Sequence, residues 1–456
     1  MKQPVSSSFR DPSGSLFYQD GDLYRQVNPS YKEHYDLLIT SGLYDDLVSA
    51  GLLIPHAEVS SDSHDGAYKI LKPALIPFIS YPYEWSFSQL KDAALTTLEI
   101  QKKALARGMS LKDASAYNIQ FYRGRPVLID TLSFESYREG YPWVAYRQFC
   151  QHFLGPLALM GITDVRFNQL LRLYIDGIPL DLTSKVLPLK TRCSLSLLIH
   201  IHLHAKSQKH YENRTIPKNK LAPKVSRQAM LGIVDNLRST ISGLRWKPEG
   251  TEWVDYYQDN SYTPEALEDK KQLVEQYIDK ANPKTLWDLG ANTGVYTRIA
   301  AEKGISTISF DIDPACVELN YREVIRRGEQ NILPLILDLA NPSPPIGWAN
   351  EERMSIYQRG PAEMIMALAL IHHIAISNNV PLSRIADLLG KSCTWLIIEF
   401  VPKSDLKVQK LLATRDDIFT EYTREAFEKD FSRVFDIQMS KQILNSERTL
   451  YLMRSK

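Results

Sequence analysis

The chain has little that would place it in a specialised class. It holds only four cysteines in 456 residues: Cys150, Cys193, Cys316 and Cys393. They are scattered and form no CxxC pair, which argues against a disulfide framework and a thiolate zinc site and points to a reducing compartment. Charge of one sign is not in excess. Lys and Arg total 54 against 53 Asp and Glu, a net charge of +1, so there is no global field to draw the chain to nucleic acid or a membrane surface. Long hydrophobic runs are missing too. Stretches such as LSLLI and MIMALALI fall well short of the roughly 20 residues a membrane-spanning helix needs. The first residues, MKQPVSSSFRDPSG, contain no apolar signal-peptide core. A cytoplasmic location is the expectation. No internal repeat is visible.

What remains is an ordinary soluble composition, 44% hydrophobic and 23% charged. The length suggests two or three domains. Residues 205–227, AKSQKHYENRTIPKNKLAPKVSR, are polar, basic and broken by two prolines, so they read as a linker. Lys218, Lys220, Lys224 and Arg227 make it the best local basic patch, which a solvated linker explains. The expected division is an N-terminal domain over 1–210, a linker over 211–230 and a C-terminal domain over 231–456.

Beyond about residue 280 strand-like and helix-like segments alternate. TLWDLG, ISTISFDID, ILPLILDL, AEMIMALALIHH and CTWLIIEFV read as strands. GVYTRIAAEKG, PACVELNYREVIRRG and PLSRIADLLGK read as helices, the second opened by Pro314 and closed by Gly328. Apolar strands alternating with helices predict a parallel sheet covered on both faces. The last two segments, VFDIQMSKQIL and RTLYLMR, are separated only by NSE and predict a hairpin. A hairpin at the end of a parallel sheet forces one antiparallel strand.

The first of these strands ends in Asp288 and runs into Gly290-Ala-Asn-Thr-Gly294 before a helix. Such a turn aims backbone N–H groups at a ligand, and glycine allows close approach. The loop lacks the third glycine of a dinucleotide site and the Lys-Ser/Thr of a P-loop. Asp288 would repel a pyrophosphate but accept from an ammonium group. Asp311 ends the next strand, 23 residues on, where an acid meets ribose hydroxyls in doubly wound sheets. Asp338 ends the third and could accept from an adenine amino group.

With DLGANTG, FDIDP, LDL and the terminal hairpin in this order, residues 250–456 resemble class I S-adenosylmethionine-dependent methyltransferases. The resemblance implies a Rossmann-like domain with a seven-stranded sheet whose last strand is antiparallel. It implies S-adenosylmethionine as cofactor, with Asp288, Gly290, Asn292 and Gly294 around the methionine part, Asp311 on the ribose and Asp338 on the adenine. Asn292 departs from the family, which usually has glycine there. Upstream, Trp253, Tyr257 and Tyr262 are candidates for a lid over the cofactor, or for ordinary aromatic packing. NPSPPIGW, at 341–348, reads as a rigid loop flanking the adenine site.

Methyl transfer is a displacement at a sulfonium carbon, so a base is needed only when the nucleophile must lose a proton. His372 and His373 follow the fourth strand at the sheet edge where substrates bind. Either is a candidate general base, against the alternative that they cap the strand. Glu399, ending the fifth strand, either positions substrate or holds its loop. His200 and His204 share a helix face at a zinc-compatible spacing, but no third ligand is evident, and no metal is expected. The acceptor is expected to be a small molecule or carrier-bound metabolite. Oligomeric state is not legible.

The N-terminal half is expected to be α+β. A long helical stretch from residue 88, then Asp113, Asn118 and a hairpin to Asp130 resemble the catalytic region of the protein-kinase-like fold. The resemblance implies Asp113 as loop acid and Asn118 and Asp130 as metal ligands. Leu111-Lys112 replaces the family's His-Arg, Asp130-Thr131-Leu132 replaces Asp-Phe-Gly, and no glycine-rich loop precedes. The nucleotide-clamping cation is open among Arg25, Lys69 and Lys72. Nucleotide binding or phosphotransfer is the alternative function for this half; an accessory domain that binds substrate or carrier is the plainer one.

Overall fold

The computed structural model describes residues 2–59, 66–206, 225–249, 263–413 and 416–456. Two compact units result. The first holds 1–247 together with 345–353, and the second 248–344 with 354–456.

In the first unit five strands form an antiparallel sheet in the order Gln3–Pro4, Gly14–Gln19, Asp22–Val27, Lys69–Pro73, His56–Val59. The helix Lys32–Thr40 follows the third in sequence. The helix Phe87–Ala106 starts on a capping box, Ser86 accepting from the Gln89 amide. It leads to the short pair Met109–Leu111 and Phe134–Ser136 and the hairpin of Ile119–Tyr122 with Arg125–Leu128. A mostly helical region completes the unit.

The expected boundary at 230/231 cuts through the helix Arg227–Gly243, which belongs to the first unit. Its apolar face, Met230, Val234, Leu237 and Ile241, is buried. Lys91 Nζ closes its end by donating to the carbonyls of Ser242 and Leu244. The rest of the expected linker, 211–224, lies outside the described residues.

The second unit opens with helix α1 (Pro264–Ala281). Then follow β1 (Thr285–Leu289), α2 (Val295–Glu302), β2 (Ser306–Asp311), α3 (Pro314–Arg327) and β3 (Ile332–Ile336). After the 345–353 excursion come β4 (Ala362–Ala367), α4 (Leu382–Ser392) and β5 (Cys393–Phe400). Helices α5 (Leu406–Leu412) and α6 (Arg424–Phe431) precede β6 (Phe435–Gln442) and β7 (Thr449–Ser455). The seven-stranded sheet runs β3-β2-β1-β4-β5-β7-β6. Only β7 is antiparallel, pairing with β5 on one side and β6 on the other. The hairpin thus does what its sequence requires.

Alternate residues of a strand face opposite sides of a sheet. Leu286, Met364, Met366 and Ile397 join the core under α1 and α2 with Leu273, Tyr277 and Ala300. Trp287, Ile365, Ala367 and Ile398 point to the other face, where α4 lies. Both faces are covered, which is why these strands are apolar throughout. Among the described residues no helix is long and apolar enough to cross a membrane.

Candidate functional site

The C-terminal ends of β1, β2 and β3 surround a cavity of about 400 Å³, within the usual range of small-molecule sites. Asp288, Gly290, Asn292, Asp311, Asp338 and His373 are among its lining residues. Gly294 and His372 are not. The lid candidates Trp253, Tyr257 and Tyr262 lie outside the described residues.

The glycine-containing turn is held by its backbone. The amides of Gly290 and Ala291 both donate to the Phe310 carbonyl. Gly294 has φ +79°, and a Cβ there would lie 2.6 Å from Asn320 Oδ1 and 2.7 Å from Arg298 Nη1. Only glycine fits. Asn292 has φ +51°, and asparagine is among the non-glycine residues that best tolerate that region. The departure from the family's glycine keeps the backbone shape. The Asn292 amide donates to Asp311 Oδ2 at 2.7 Å, tying the turn to the second acid.

Asp288 and Asp311 are 2% and 8% exposed. Burial pushes the Asp288 carboxyl up to about 7; the Thr297 hydroxyl, donating at 2.6 Å, opposes it, Asp311 adds to it and Lys270 opposes it. Burial raises Asp311 to about 6, against hydrogen bonds from the Asp313 and Asn292 amides. Two buried acids of raised pKa beside one cavity are poised for a ligand that brings positive charge or hydroxyl donors. Asp338 accepts from the Ala340 amide in its own turn.

Lys270 also lines the cavity, and the sequence reading missed it. It sits on α1 among Ala266, Leu273, Val274 and Tyr277, the helix's buried face. A lysine at an apolar position of an amphipathic helix was the available signal. Its Nζ donates to Glu399 Oε2 at 2.6 Å and lies 4.8 Å from the Tyr296 ring centre. Burial lowers its pKa, Glu399 opposes, and Arg448 lowers it further.

Glu399 is fully buried and accepts from the Ala369 amide at 2.9 Å. Ala369 has φ +48°, a left-handed conformation that alanine resists by roughly 1–2 kcal/mol. Glu399 is not part of the cavity wall. Of its two expected roles, it holds the strained loop after β4. Arg448 Nη1 approaches its other oxygen at 3.5 Å, and Arg448 Nε donates to Asp405 Oδ2 at 2.7 Å.

His372 is 1% exposed, and its Nδ1 has no hydrogen-bond partner among the described residues. Burial, then His373, Arg448 and Lys270, hold its pKa well below the usual histidine value. His373 opens a short π-helical turn, His373–Ser377, and burial with Arg448 and Lys407 lowers it to about 4. Of the two candidate bases, only His373 reaches the cavity. Leu339 and Ala340, just before the 341–348 loop, line the cavity; of the loop itself, 341–344 belongs to the second unit and 345–348 to the first. There Arg10 Nε meets Glu352 at 2.5 Å, and Arg353 lies 4.4 Å from the Tyr117 ring centre.

In the first unit Asp113, Asn118 and Asp130 share one hydrogen-bonded network. Asp113 accepts from Gln148 Nε2 at 2.8 Å, and burial and then Asp130 raise its pKa. Ser133 donates to Asp130 at 2.6 Å and accepts from Asn118. Arg25 pairs with Asp130, whereas Lys69 pairs with Glu58 and Lys72 with Asp22. Arg25 is therefore the cation that meets this acid. His200 bonds Tyr146 and Asn236, and His202 bonds Ser184 and Thr191. Among the described residues no group of three or more His, Cys, Asp or Glu is placed to hold a metal ion.

The strand order with β7 reversed, and the three acids at the ends of β1, β2 and β3, define the second unit as a class I S-adenosylmethionine-dependent methyltransferase fold. The chain belongs to the family of the nodulation protein NoeA of Rhizobium meliloti (strain 1021), with 35% identity over 455 residues, 98% of this chain and 95% of that protein. No family model matches it. Similar solved structures include magnesium protoporphyrin IX methyltransferase (ChlM) from Synechocystis PCC 6803 with bound SAH, 15% identical, covering 45% of this chain and 93% of that one, TM-score 0.32. Another is the 16S rRNA methyltransferase RmtF in complex with S-adenosyl-L-homocysteine, 16% identical, covering 42% and 64%, TM-score 0.30. Likenesses this distant bear on neither substrate nor site. The phosphotransfer alternative gains no support from these relatives.

Proposed function

We propose that the second unit transfers a methyl group from S-adenosylmethionine to a small-molecule or carrier-bound acceptor. The observation that carries this reading is the set of three acids at the ends of adjacent parallel strands around one cavity of about 400 Å³. Bound S-adenosylmethionine would supply an electrophilic methyl group on a sulfonium. Asp288 faces its ammonium end, Asp311 its ribose hydroxyls and Asp338 its adenine amino group. Gly290 and Asn292 keep the turn open around the amino-acid part, and Gly294 lets α2 start beside it. Lys270 is placed to take the cofactor's carboxylate as a second anion beside Glu399.

His373 is the proposed general base. Burial, Arg448 and Lys407 lower its pKa to about 4, so near pH 7 it is neutral and a weak base. The His372 ring packs against it, with centroids 4.1 Å apart. The first unit is proposed as an accessory domain that binds the acceptor or its carrier.

The test is incubation of the protein with methyl-labelled S-adenosylmethionine and fractionated bacterial metabolite extract. Release of S-adenosylhomocysteine in an extract-dependent manner, abolished by Asp311→Ala, is the expected result. Release that Asp311→Ala leaves unchanged would overturn the site assignment.

A further inference from the structure

The sheet face opposite the α1–α2 core is not fully packed. A second cavity, of about 150 Å³, lies between β1, β4 and α4. Its walls include Ile365, Ala367, Ile371, Ile374, Ile385 and Leu388. Protein interiors are close-packed, and voids of this size with aliphatic walls stay dry and take apolar guests. Ala367 on β4 and Ala340 after β3 bring only methyl side chains to its wall.

This cavity is not isolated. Leu337, Leu339, Ala340, Leu370 and Ile374 line both it and the cofactor cavity. At its other end Trp287, Tyr357, Leu388 and Ser392 are shared with a further recess of about 220 Å³ that also borders Gly360, Pro361 and Lys391. Gly360 has a steric reason to be glycine: a Cβ there would lie 3.0 Å from Trp287 Cη2. Three spaces thus follow one another along the sheet. The first carries three acids, Lys270 and a histidine among apolar residues, and the second is mostly aliphatic, with Trp287, Tyr357, Arg384 and Ser392 also in its wall.

We propose that this run of cavities binds an aliphatic chain of the methyl acceptor. The reactive polar end lies in the cofactor cavity, and the chain passes Leu370 and Ile374 into the space under α4. A run of spaces that share lining residues, with a mostly aliphatic middle, suits an extended chain better than a compact ring system. Burying such a chain takes its methylenes out of water, which selects for chain-bearing acceptors. The inference deepens the methyltransferase reading and rests on it for the identity of the polar end.

The test uses the full chain and a fluorescent polyene fatty acid, cis-parinaric acid, titrated with and without S-adenosylhomocysteine. Decanol serves as a non-fluorescent competitor. Ala367→Phe fills the space from the strand and Leu388→Trp from the helix; neither residue lines the cofactor cavity. The expected result is saturable binding that decanol displaces and that either variant weakens at least about tenfold, roughly 1.4 kcal/mol. S-adenosylhomocysteine affinity, measured by calorimetry, stays unchanged in both variants. If one variant does not fold, by circular dichroism, the other decides. Absence of probe binding to the wild type, binding unaffected by either variant, or displacement by naphthalene but not decanol would each overturn the chain site. Retained probe binding with no S-adenosylhomocysteine binding would instead strike the methyltransferase reading and leave the chain site standing.

Discussion

Lys270 Nζ and Glu399 Oε2 meet 2.6 Å apart with both side chains at most 3% exposed, between the first helix and the fifth strand of the methyltransferase unit. This pair joins α1 to the loop after β4 and puts a cation at the cofactor cavity. Removing one partner of a buried pair leaves an uncompensated charge and costs about 3–5 kcal/mol. Glu399→Gln removes the negative charge from Lys270 and Arg448, of which Arg448 keeps Asp405 while Lys270 is left as a buried cation. Urea unfolding of the variant is expected to show a loss of about that size. A loss under about 1 kcal/mol, the range of exposed pairs, would mean that the pair is not the tie between these elements.

Cofactor affinity should depend on pH with a defined sign. Asp288 and Asp311 are raised from 3.8 to about 7 and about 6 in the ligand-free chain. Their protonation stabilises the fold fully below about pH 4, and that contribution is lost as pH rises through about 6 and 7. A cationic ligand prefers the ionised acid, so S-adenosylhomocysteine should bind roughly tenfold tighter at pH 8 than at pH 6. Asp288→Asn should flatten that profile. Affinity that falls with rising pH would contradict the placement of the ammonium group at Asp288.

Gly294→Ala should be far more damaging than its size suggests. The added Cβ meets Asn320 and Arg298 within 2.7 Å in a backbone conformation alanine resists. Arg298 also pairs with Glu329 at 2.9 Å and cannot easily yield. The expected outcome is a stability loss of about 1–3 kcal/mol and weakened cofactor binding, read by thermal melting with and without S-adenosylhomocysteine. Gly304→Ala, at φ +80° with open space around it, is the control for conformation without crowding.

The two histidines should separate kinetically once an acceptor is found. His373→Ala is expected to lower kcat by roughly 10²–10⁴, the usual contribution of a general base, with the KM for cofactor little changed. His372→Ala removes a buried side chain and should reduce stability more than rate. Equal rate losses in both variants would remove the distinction drawn from the cavity wall.

The sheet of the second unit was legible because its signals are local. The apolar strands, Pro314 opening α3 and Gly328 at φ +67° ending it are short-range features. Asp288, Asp311 and Asp338 could be named because strand ends are placed by the fold itself. Lys270 was not, because its neighbour Glu399 is 129 residues away. The role of Glu399 depended on the Ala369 amide 30 residues upstream. His372 and His373 looked equivalent in sequence; a π-helical turn starting between them sends only one to the cavity. The 227–243 helix directly follows a basic, proline-containing stretch, whose composition masks the amphipathic spacing of Met230, Val234, Leu237 and Ile241. No local pattern marks residues 345–353 as part of the first unit, because that assignment depends on partners such as Arg10 and Tyr117.

The most direct test of the central claim is calorimetric titration of the full chain with S-adenosylhomocysteine, beside Asp311→Ala. The account predicts one saturable site of micromolar affinity in the wild type and its loss in the variant, with both proteins folded by circular dichroism. Absence of binding to the folded wild type, or equal binding to the variant, would contradict it.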